Sequence, residues 1–375
     1  MKKVLHIITG LGSGGAEGVL YRLCTHDKDN QHLVISFMSD GKYGALLREA
    51  GVEVYCLQQS QGKFTIKAVL RLYKLINTIK PDIVQTWMYH ADLIGGLIAK
   101  ISGINNIHWN IRHSSLIAGK SKKSTILIAK ICALLSYIIP KNIVCCAKTA
   151  LDTHASLGYS AKRMTVISNG YDVLALNELA LEEPPLEITN VEQYTPIIGL
   201  IGRYNIQKNH SGFFSALSML TQSGNHNFKV VLVGHGVDSN NTDLLRLLES
   251  KGLVNKVILL GEQNNVPSIL SKFDLSVLPS SFGEGFPNVV AESMALGIPC
   301  IVTDVGDAAR IVGDTGWIIP PNDDFLLSKT IAVALEELSN DSQQWVIRKS
   351  KAKTRVTENF SLDLMVKKYK EAWSS

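Results

Sequence analysis

Short apolar runs rich in β-branched residues, KVLHIIT, HLVISFM, VEVYCL, DIVQTW, NIVCCA and MTVIS, alternate with stretches of helical pattern through the first half of the chain. Strands that alternate with helices predict a parallel sheet wrapped by helices. The pattern breaks at LALNELALEEPPLEITNVEQYTP, where Glu178, Glu182, Glu183, Glu187 and Glu192 gather around Pro184 and Pro185 with no Lys or Arg among them. Such a shift in composition marks a linker or a domain edge. Beyond it the pattern restarts with PIIGLIG, KVVLVG, KVILLG, DLSVLP and PCIVT, each ending in or near a turn-forming residue. The fold class expected is therefore α/β, with two doubly wound domains in tandem: residues 1–175, an edge over 176–195, and residues 196–358. A length of 375 residues also exceeds what one core ordinarily organises.

One apolar stretch, Ile126 to Ile139, is interrupted by Lys130, ended by Pro140, and shorter than the roughly 20 residues that a spanning helix needs. It is not transmembrane. Because Lys120, Lys122 and Lys123 precede it, two readings stay open, a core-packing helix beside a solvated loop or a monotopic contact with a membrane. The charge distribution bears on the choice. Residues 1–163 hold 21 Lys and Arg against 9 Asp and Glu, a balance of +12, and the remainder holds 17 against 24, or −7. The first half should meet something anionic. Nucleic acid is disfavoured, since no nucleic-acid module is present and the basic residues are not interleaved with stacking aromatics. The basic start and short apolar run of the N-terminus are read as a first strand, not a secretion signal, because glycines interrupt them. Six cysteines without metal-like spacing fit buried thiols in a reducing cytoplasm.

Gly10, Gly12 and Gly15 follow the first apolar run at the spacing G-x-G-x-x-G. That spacing allows a tight turn, backbone approach to a ligand and close helix packing, so a ligand loop, a structural turn and a dinucleotide site are all open. For the last of these, Asp40 is only a loose counterpart of the ribose-binding carboxylate. Asp27-Lys28-Asp29 is a literal D-x-D, but it sits in a polar turn with no phosphate-binding context, and no metal site is expected there.

The segment LPSSFGEGFPNVVAESMALGIPCIVTDVG carries the most chemistry. Glu284 lies in a glycine loop beyond an expected strand, and Glu292 lies in a helix that Pro287 can open at its first turn. Ligands of doubly wound sheets bind beyond the carboxyl ends of strands. The free N–H groups at Asn288 and its neighbours suit a phosphate, and carboxylates beside a phosphate make sense as acceptors from hydroxyls. Glu292 would accept from a ribose and Glu284 from a sugar ring.

This stretch resembles the E-x7-E signature of the retaining glycosyltransferases of family 4, and the resemblance covers nearly the whole chain. It implies the GT-B fold, two Rossmann-like domains facing a cleft, with the terminal segment 359–375 crossing back to the first domain. IIGLIGRYNIQKNHSGF is similar to that family's diphosphate-gripping element, which assigns this task to Arg203 and Lys208. WNIRHSS places His113 where the family has a histidine near the reacting sugar. By resemblance the catalytic set is His113, Glu284, Arg203 and Lys208. Donor binding adds Gly14, Gly15, Gly202, Gly234, Val266, Gly285, Phe286, Asn288, Val289 and Glu292. His90 and Arg112 are weaker acceptor contacts, because Trp87 stands where the family often has a histidine. His90 could equally be structural and Arg112 could face solvent. The implied activity is metal-independent transfer of a sugar from a nucleoside-diphosphate sugar, UDP-hexose or UDP-N-acetylhexosamine, to a lipid-linked saccharide in bacterial surface-polysaccharide assembly. No cofactor is implied. The expected place is the cytoplasmic face of the inner membrane, in peripheral contact with anionic lipid. A nucleotide-sugar epimerase of similar fold and a non-catalytic sugar-nucleotide binder are the alternatives.

Overall fold

The computed structural model describes residues 1–60, 62, 64–114, 116, 123–192 and 194–374. They form two compact units, one of Met1–Gly170 together with the terminal stretch from Leu362, the other of Tyr171–Ser361.

The first unit is built on seven parallel strands: β1 (Lys3–Ile8), β2 (Gln31–Ser36), β3 (Glu53–Cys56), β4 (Ile83–Trp87), β5 (Ile107–Ile111), β6 (Asn142–Cys145) and β7 (Met164–Val166). Their order is β3-β2-β1-β4-β5-β6-β7, so the strand order reverses between β1 and β4. Strands β4 and β5 are buried along their whole length, as expected of strands with both faces covered. The terminal helix Leu362–Ser374 belongs to this unit and buries Tyr369 and Trp373 in the core that holds Trp87. Two side chains of that helix also tie down polar strand residues. Asn110 Nδ2 donates to the Tyr369 hydroxyl at 2.8 Å, and Trp373 Nε1 donates to Gln85 Oε1 at 3.0 Å. Full burial of each aromatic is worth about 1.5–3 kcal/mol, and these bonds offset the cost of burying the Gln85 amide and the Asn110 Nδ2, while Asn110 Oδ1 has no partner among the described residues.

A directed hydrogen-bond chain crosses the same core. Trp87 Nε1 can only donate, and it reaches His6 Nδ1 at 3.1 Å. The His6 proton therefore sits on Nε2, 2.9 Å from His32 Nδ1, and His32 Nε2 donates to Asp27 Oδ2 at 3.2 Å. His6, Cys24 and His32 bring three ligand-type atoms within 4.8 Å, all buried. A metal on His6 Nε2 would need the proton on Nδ1, which already faces the indole N–H, so the cluster suits hydrogen bonding and not a cation. Asp27 of the D-x-D is consumed by this chain, with Asn30 Nδ2 also donating to it at 2.8 Å.

The second unit holds β8 (Ile197–Ile201), β9 (Lys229–Val233), β10 (Val257–Leu259), β11 (Leu275–Leu278), β12 (Cys300–Thr303) and β13 (Trp317–Ile319), all parallel, in the order β10-β9-β8-β11-β12-β13. Here the reversal falls between β8 and β11. The glutamate-rich stretch 176–195, expected as a linker or domain edge, falls inside this unit, near its start at Tyr171. Ile188 is 3% exposed within its core, and Asn265 Nδ2 reaches Leu179 O at 3.1 Å and Glu182 Oε2 at 2.6 Å. Ile188 and the partly buried Val191 pack this stretch onto the unit's core despite its polar composition. The expected terminal segment likewise starts later than 359, because Asn359 closes the preceding helix Ser342–Asn359.

Candidate active site

In the second unit, the loops after β8 and β11 flank the reversal point of the sheet. Asn205 Oδ1 accepts from Lys208 N at 3.0 Å and so closes a single 3-10 turn, Ile206–Lys208, that holds the Lys208 side chain over the strand ends. The loop after β11 is bound to that turn by Ser281 N donating to Gln207 O at 2.9 Å. Glu284 is buried in this loop, 7% exposed. Its Oε1 accepts from Lys208 Nζ at 2.7 Å, from Ser280 Oγ at 2.6 Å and, more weakly, from Gln207 Nε2 at 3.4 Å. Residues 76 apart in sequence thus form one ion pair, with side chains 16% and 7% exposed.

Glycines let the backbone close around it. Gly234 has φ +146, and a Cβ there would stand 2.3 Å from Gly202 O; Gly306 has φ +65, and a Cβ there would stand 2.3 Å from Glu284 O. Gly202 N in turn donates to Val233 O at 2.8 Å, and Gly234 N to Gly261 O at 2.7 Å, which laces the carboxyl ends of β8, β9 and β10 together.

The helix Asn288–Ala295 starts just past this loop. Pro287, expected to open the helix at its first turn, stands at its N-cap. Phe286 anchors the approach, stacked on Tyr171 at 6.3 Å and edge-on to Phe360 at 5.3 Å, and the Tyr171 hydroxyl donates to Asn288 Oδ1 at 2.5 Å. Asn288 and Val289 present the first turn, and Glu292 lies half-buried one turn on. Gly285 O accepts from Asp307 N at 2.9 Å, Val266 opens the helix Val266–Leu270, and Arg203 is exposed next to Gly202.

The first unit carries a cavity of about 920 Å³ at its own reversal point, lined by the loops after β1 and β4. Apolar walls come from Leu11, Phe37, Met38, Phe64, Ile94 and Ile128, and His90, Arg112 and His113 all line it, with Glu17. Sequence positions that were read separately therefore converge. Gly14 is the N-cap of helix Gly15–His26, without a side-chain cap. Glu17, two residues beyond Gly15, folds its carboxylate back over that end, so that a Cβ on Gly14 would stand 2.3 Å from it. Burial pushes the Glu17 carboxyl up, while its own backbone N–H and Arg112 pull it down. Arg112 Cζ lies 5.2 Å over the Trp87 ring, and its Nη1 and Nη2 are buried without a hydrogen-bond partner among the described residues. Desolvation lowers His90 and His113, although His113 keeps an exposed edge at the rim. Arg112 does not face solvent. Asp40, the loose ribose candidate, is held by Arg48 through contacts of 2.5 and 2.9 Å. Lys120 and Lys122 lie outside the described residues.

Glu17, Ser280 and Gln207 were not foreseen. Glu17 occupies the third helical position after the cap, where a carboxylate returns to the helix end, and that spacing is a usable signal. Ser280 and Gln207 have none, because their roles depend on two loops meeting.

Residues 13–173 match the family model described as Glycosyltransferase Family 4, and residues 187–352 match Glycosyl transferases group 1. The chain is 25% identical over 317 residues, 82% of its length and 79% of the relative's, to the UDP-Gal:alpha-D-GlcNAc-diphosphoundecaprenol alpha-1,3-galactosyltransferase of Escherichia coli. It is 26% identical over 319 residues, 80% of its length and 78% of the relative's, to the capsular polysaccharide biosynthesis glycosyltransferase CapM of Staphylococcus aureus. Among solved structures, Anabaena HepE in complex with UDP superposes with a TM-score of 0.82 at 21% identity, covering 99% of each chain. With a glycosyltransferase model on each Rossmann-like unit, and a full-length match in fold, the chain belongs to glycosyltransferase family 4, of GT-B fold.

Proposed function

We propose that the enzyme transfers a hexose or N-acetylhexosamine from a UDP-sugar, with retention of anomeric configuration and without metal, to a hydroxyl of a lipid-diphosphate-linked saccharide in bacterial surface-polysaccharide biosynthesis. The observation that carries the reading is the Lys208–Glu284 pair beside the Asn288–Ala295 helix start, at the reversal point of the second sheet. A leaving diphosphate needs fixed positive charge as the glycosidic bond breaks, and Arg203, Lys208 and the N–H groups of Asn288 and Val289 supply it. The acceptor hydroxyl attacks the anomeric carbon, its proton passes to the departing phosphate, and the sugar–phosphate bond breaks. Glu284 accepts from the transferred sugar and Glu292 from the ribose. Gly14, Gly15, Gly202, Gly234, Val266, Gly285 and Phe286 shape the donor's surroundings. His113 lies near the reacting sugar, and His90 and Arg112 contact the acceptor.

The lipid-linked acceptor is supported by the undecaprenol-diphosphate substrate in the E. coli relative's name and by the basic first unit. Cytoplasmic placement at the inner membrane follows from that acceptor. The test is incubation with a panel of nucleotide sugars and lipid-linked acceptors, with product mass and anomeric coupling read by mass spectrometry and NMR. Acceptor-dependent product with retained configuration, unchanged by EDTA, is expected. Loss of activity in EDTA with recovery in manganese would overturn metal independence, and sugar isomerisation without acceptor would favour an epimerase.

A further inference from the structure

Three helices of the first unit carry an outward face that its own core does not use. Helix Ile66–Ile79 exposes Ile66 (80%), Leu70 (64%) and Tyr73, spaced i, i+4, i+7, while Ala68, Leu72, Ile76 and Ile79 face inward. Helix Gly96–Ile101, packed against it, exposes Leu97 and Ile101. Helix Lys123–Leu135, packed against the π-turn Ala91–Gly95 that leads into Gly96–Ile101, exposes Leu127, Ile131 and Leu134, again at i, i+4, i+7, and the following turn exposes Tyr137 and Ile138. Scattered surface apolar residues need no explanation, but three stripes on adjacent helices do.

Charge identifies the occupant. These three helices contain no Asp or Glu, and they carry Lys67, Arg71, Lys74, Lys100, Lys123 and Lys130, all exposed. On Ile66–Ile79 the basic side chains form their own i, i+4, i+7 row beside the apolar one. Apolar stripes bordered by basic rows, with no carboxylates, match an anionic lipid surface, where headgroups meet the cations and acyl chains meet the apolar side chains. The cavity opens next to this face. Ser124, Thr125 and Ile128 line it from the first turns of Lys123–Leu135, and Phe64 lines it just before Ile66.

We propose that the outward face of helices Ile66–Ile79, Gly96–Ile101 and Lys123–Leu135 is a bilayer-docking surface that rests on anionic lipid beside the mouth of the first unit's cavity. The inference extends the lipid-linked acceptor reading, and it fails separately from it, since vesicle binding is measured without acceptor or donor. The full-length protein is sedimented with sucrose-loaded vesicles of phosphatidylglycerol and phosphatidylethanolamine, or of phosphatidylcholine alone, at low and high salt. The parent should bind the anionic vesicles far more tightly than the neutral ones at low salt, and high salt should narrow that difference. Lys67→Gln/Arg71→Gln/Lys74→Gln should weaken anionic partition roughly a hundredfold at low salt, from the attraction typical of each cation near such a leaflet. Leu70→Gln/Leu127→Gln/Leu134→Gln should remove the binding that survives high salt. Thermal melting equal to the parent's keeps loss of fold out of the result. Binding by both variants equal to the parent, or no binding by the parent, overturns the proposal. So does a concentration-dependent parent dimer, seen by analytical ultracentrifugation and abolished by the leucine variant, which would assign the face to a second copy.

Discussion

The two units place a candidate site at the same topological point, the reversal of strand order, yet furnish it in opposite ways. Around β8 and β11 the charges are paired: Glu284 takes hydrogen bonds from Lys208, Ser280 and Gln207, inside loops laced by backbone bonds. Around β1 and β4 the cavity is wide and mostly apolar, with Arg112 Nη1 and Nη2 lacking hydrogen-bond partners among the described residues and with histidines held down by burial. The contrast teaches where binding energy is stored. A site with matched charges is organised in advance for one anionic ligand, whereas an apolar cavity with a desolvated guanidinium accepts a larger substrate by shape and uses few polar contacts to orient it.

The sharpest way to break this comparison is Lys208→Ala. Removing the cation leaves Glu284 buried without its partner charge, which costs about 3–5 kcal/mol where no rearrangement relieves it. In the role proposed for it, Lys208 also stabilises the leaving diphosphate, so its loss should lower turnover about a hundredfold to a thousandfold. Both effects should be seen, in thermal melting and in initial rates, and a variant that melts and turns over like the parent would contradict the role. Next in size is Gly234→Ala. A methyl 2.3 Å from Gly202 O on a backbone with φ +146 should cost roughly 2–4 kcal/mol and lower UDP affinity with it, as calorimetry would record.

A pH test sharpens the other side. Asp92, at the cavity-side turn after β4, is fully buried, and burial pushes its carboxyl up to about 8 against the hydrogen bonds from Thr86 and the Asn110 N–H. The folded state then holds a proton that the unfolded chain releases near pH 4. Stability should fall as pH rises from about 4 to about 8, by at most about 1.4 kcal/mol per unit from this group. Burial also depresses His108 and His154 to about 4, and these act in the opposite direction, costing stability as pH falls from 6.5 towards 4. Asp92→Asn should therefore raise the melting temperature most at pH 8 and little at pH 4. An equal shift at both would show that Asp92 does not titrate in this range. The smallest effect is expected at Gly12, where a Cβ would meet nothing within 4 Å. Gly12→Ala should change stability by less than about 0.5 kcal/mol, and a large loss of melting temperature would contradict the open space around Gly12.

The comparison also explains what the sequence revealed. All the strands but β5 and β13 were legible as short, mainly apolar runs, because strands of parallel sheets are covered on both faces. Strand β5 was not read, since His108 and Asn110 break its apolar run, and their burial depends on Asn106 and on Tyr369 from the far end of the chain. Strand β13, three residues at a sheet edge, gives too short a signal. In the site, Glu284 and Glu292 were readable from one segment with its glycines and helix start. The Glu284–Lys208 pairing, the inward turn of Arg112 and the return of Glu17 over Gly14 depend on separated loops meeting, and no local pattern encodes them.

The central claim, that the second unit grips the nucleotide and the first unit's cavity serves the acceptor, is tested most directly by calorimetric titration of UDP into the parent, Lys208→Ala and Arg112→Ala, each checked for native circular dichroism. The account predicts that Lys208→Ala loses UDP binding by tenfold or more, about 1.4 kcal/mol, while Arg112→Ala binds as the parent does. UDP affinity lost in Arg112→Ala and kept in Lys208→Ala would contradict it.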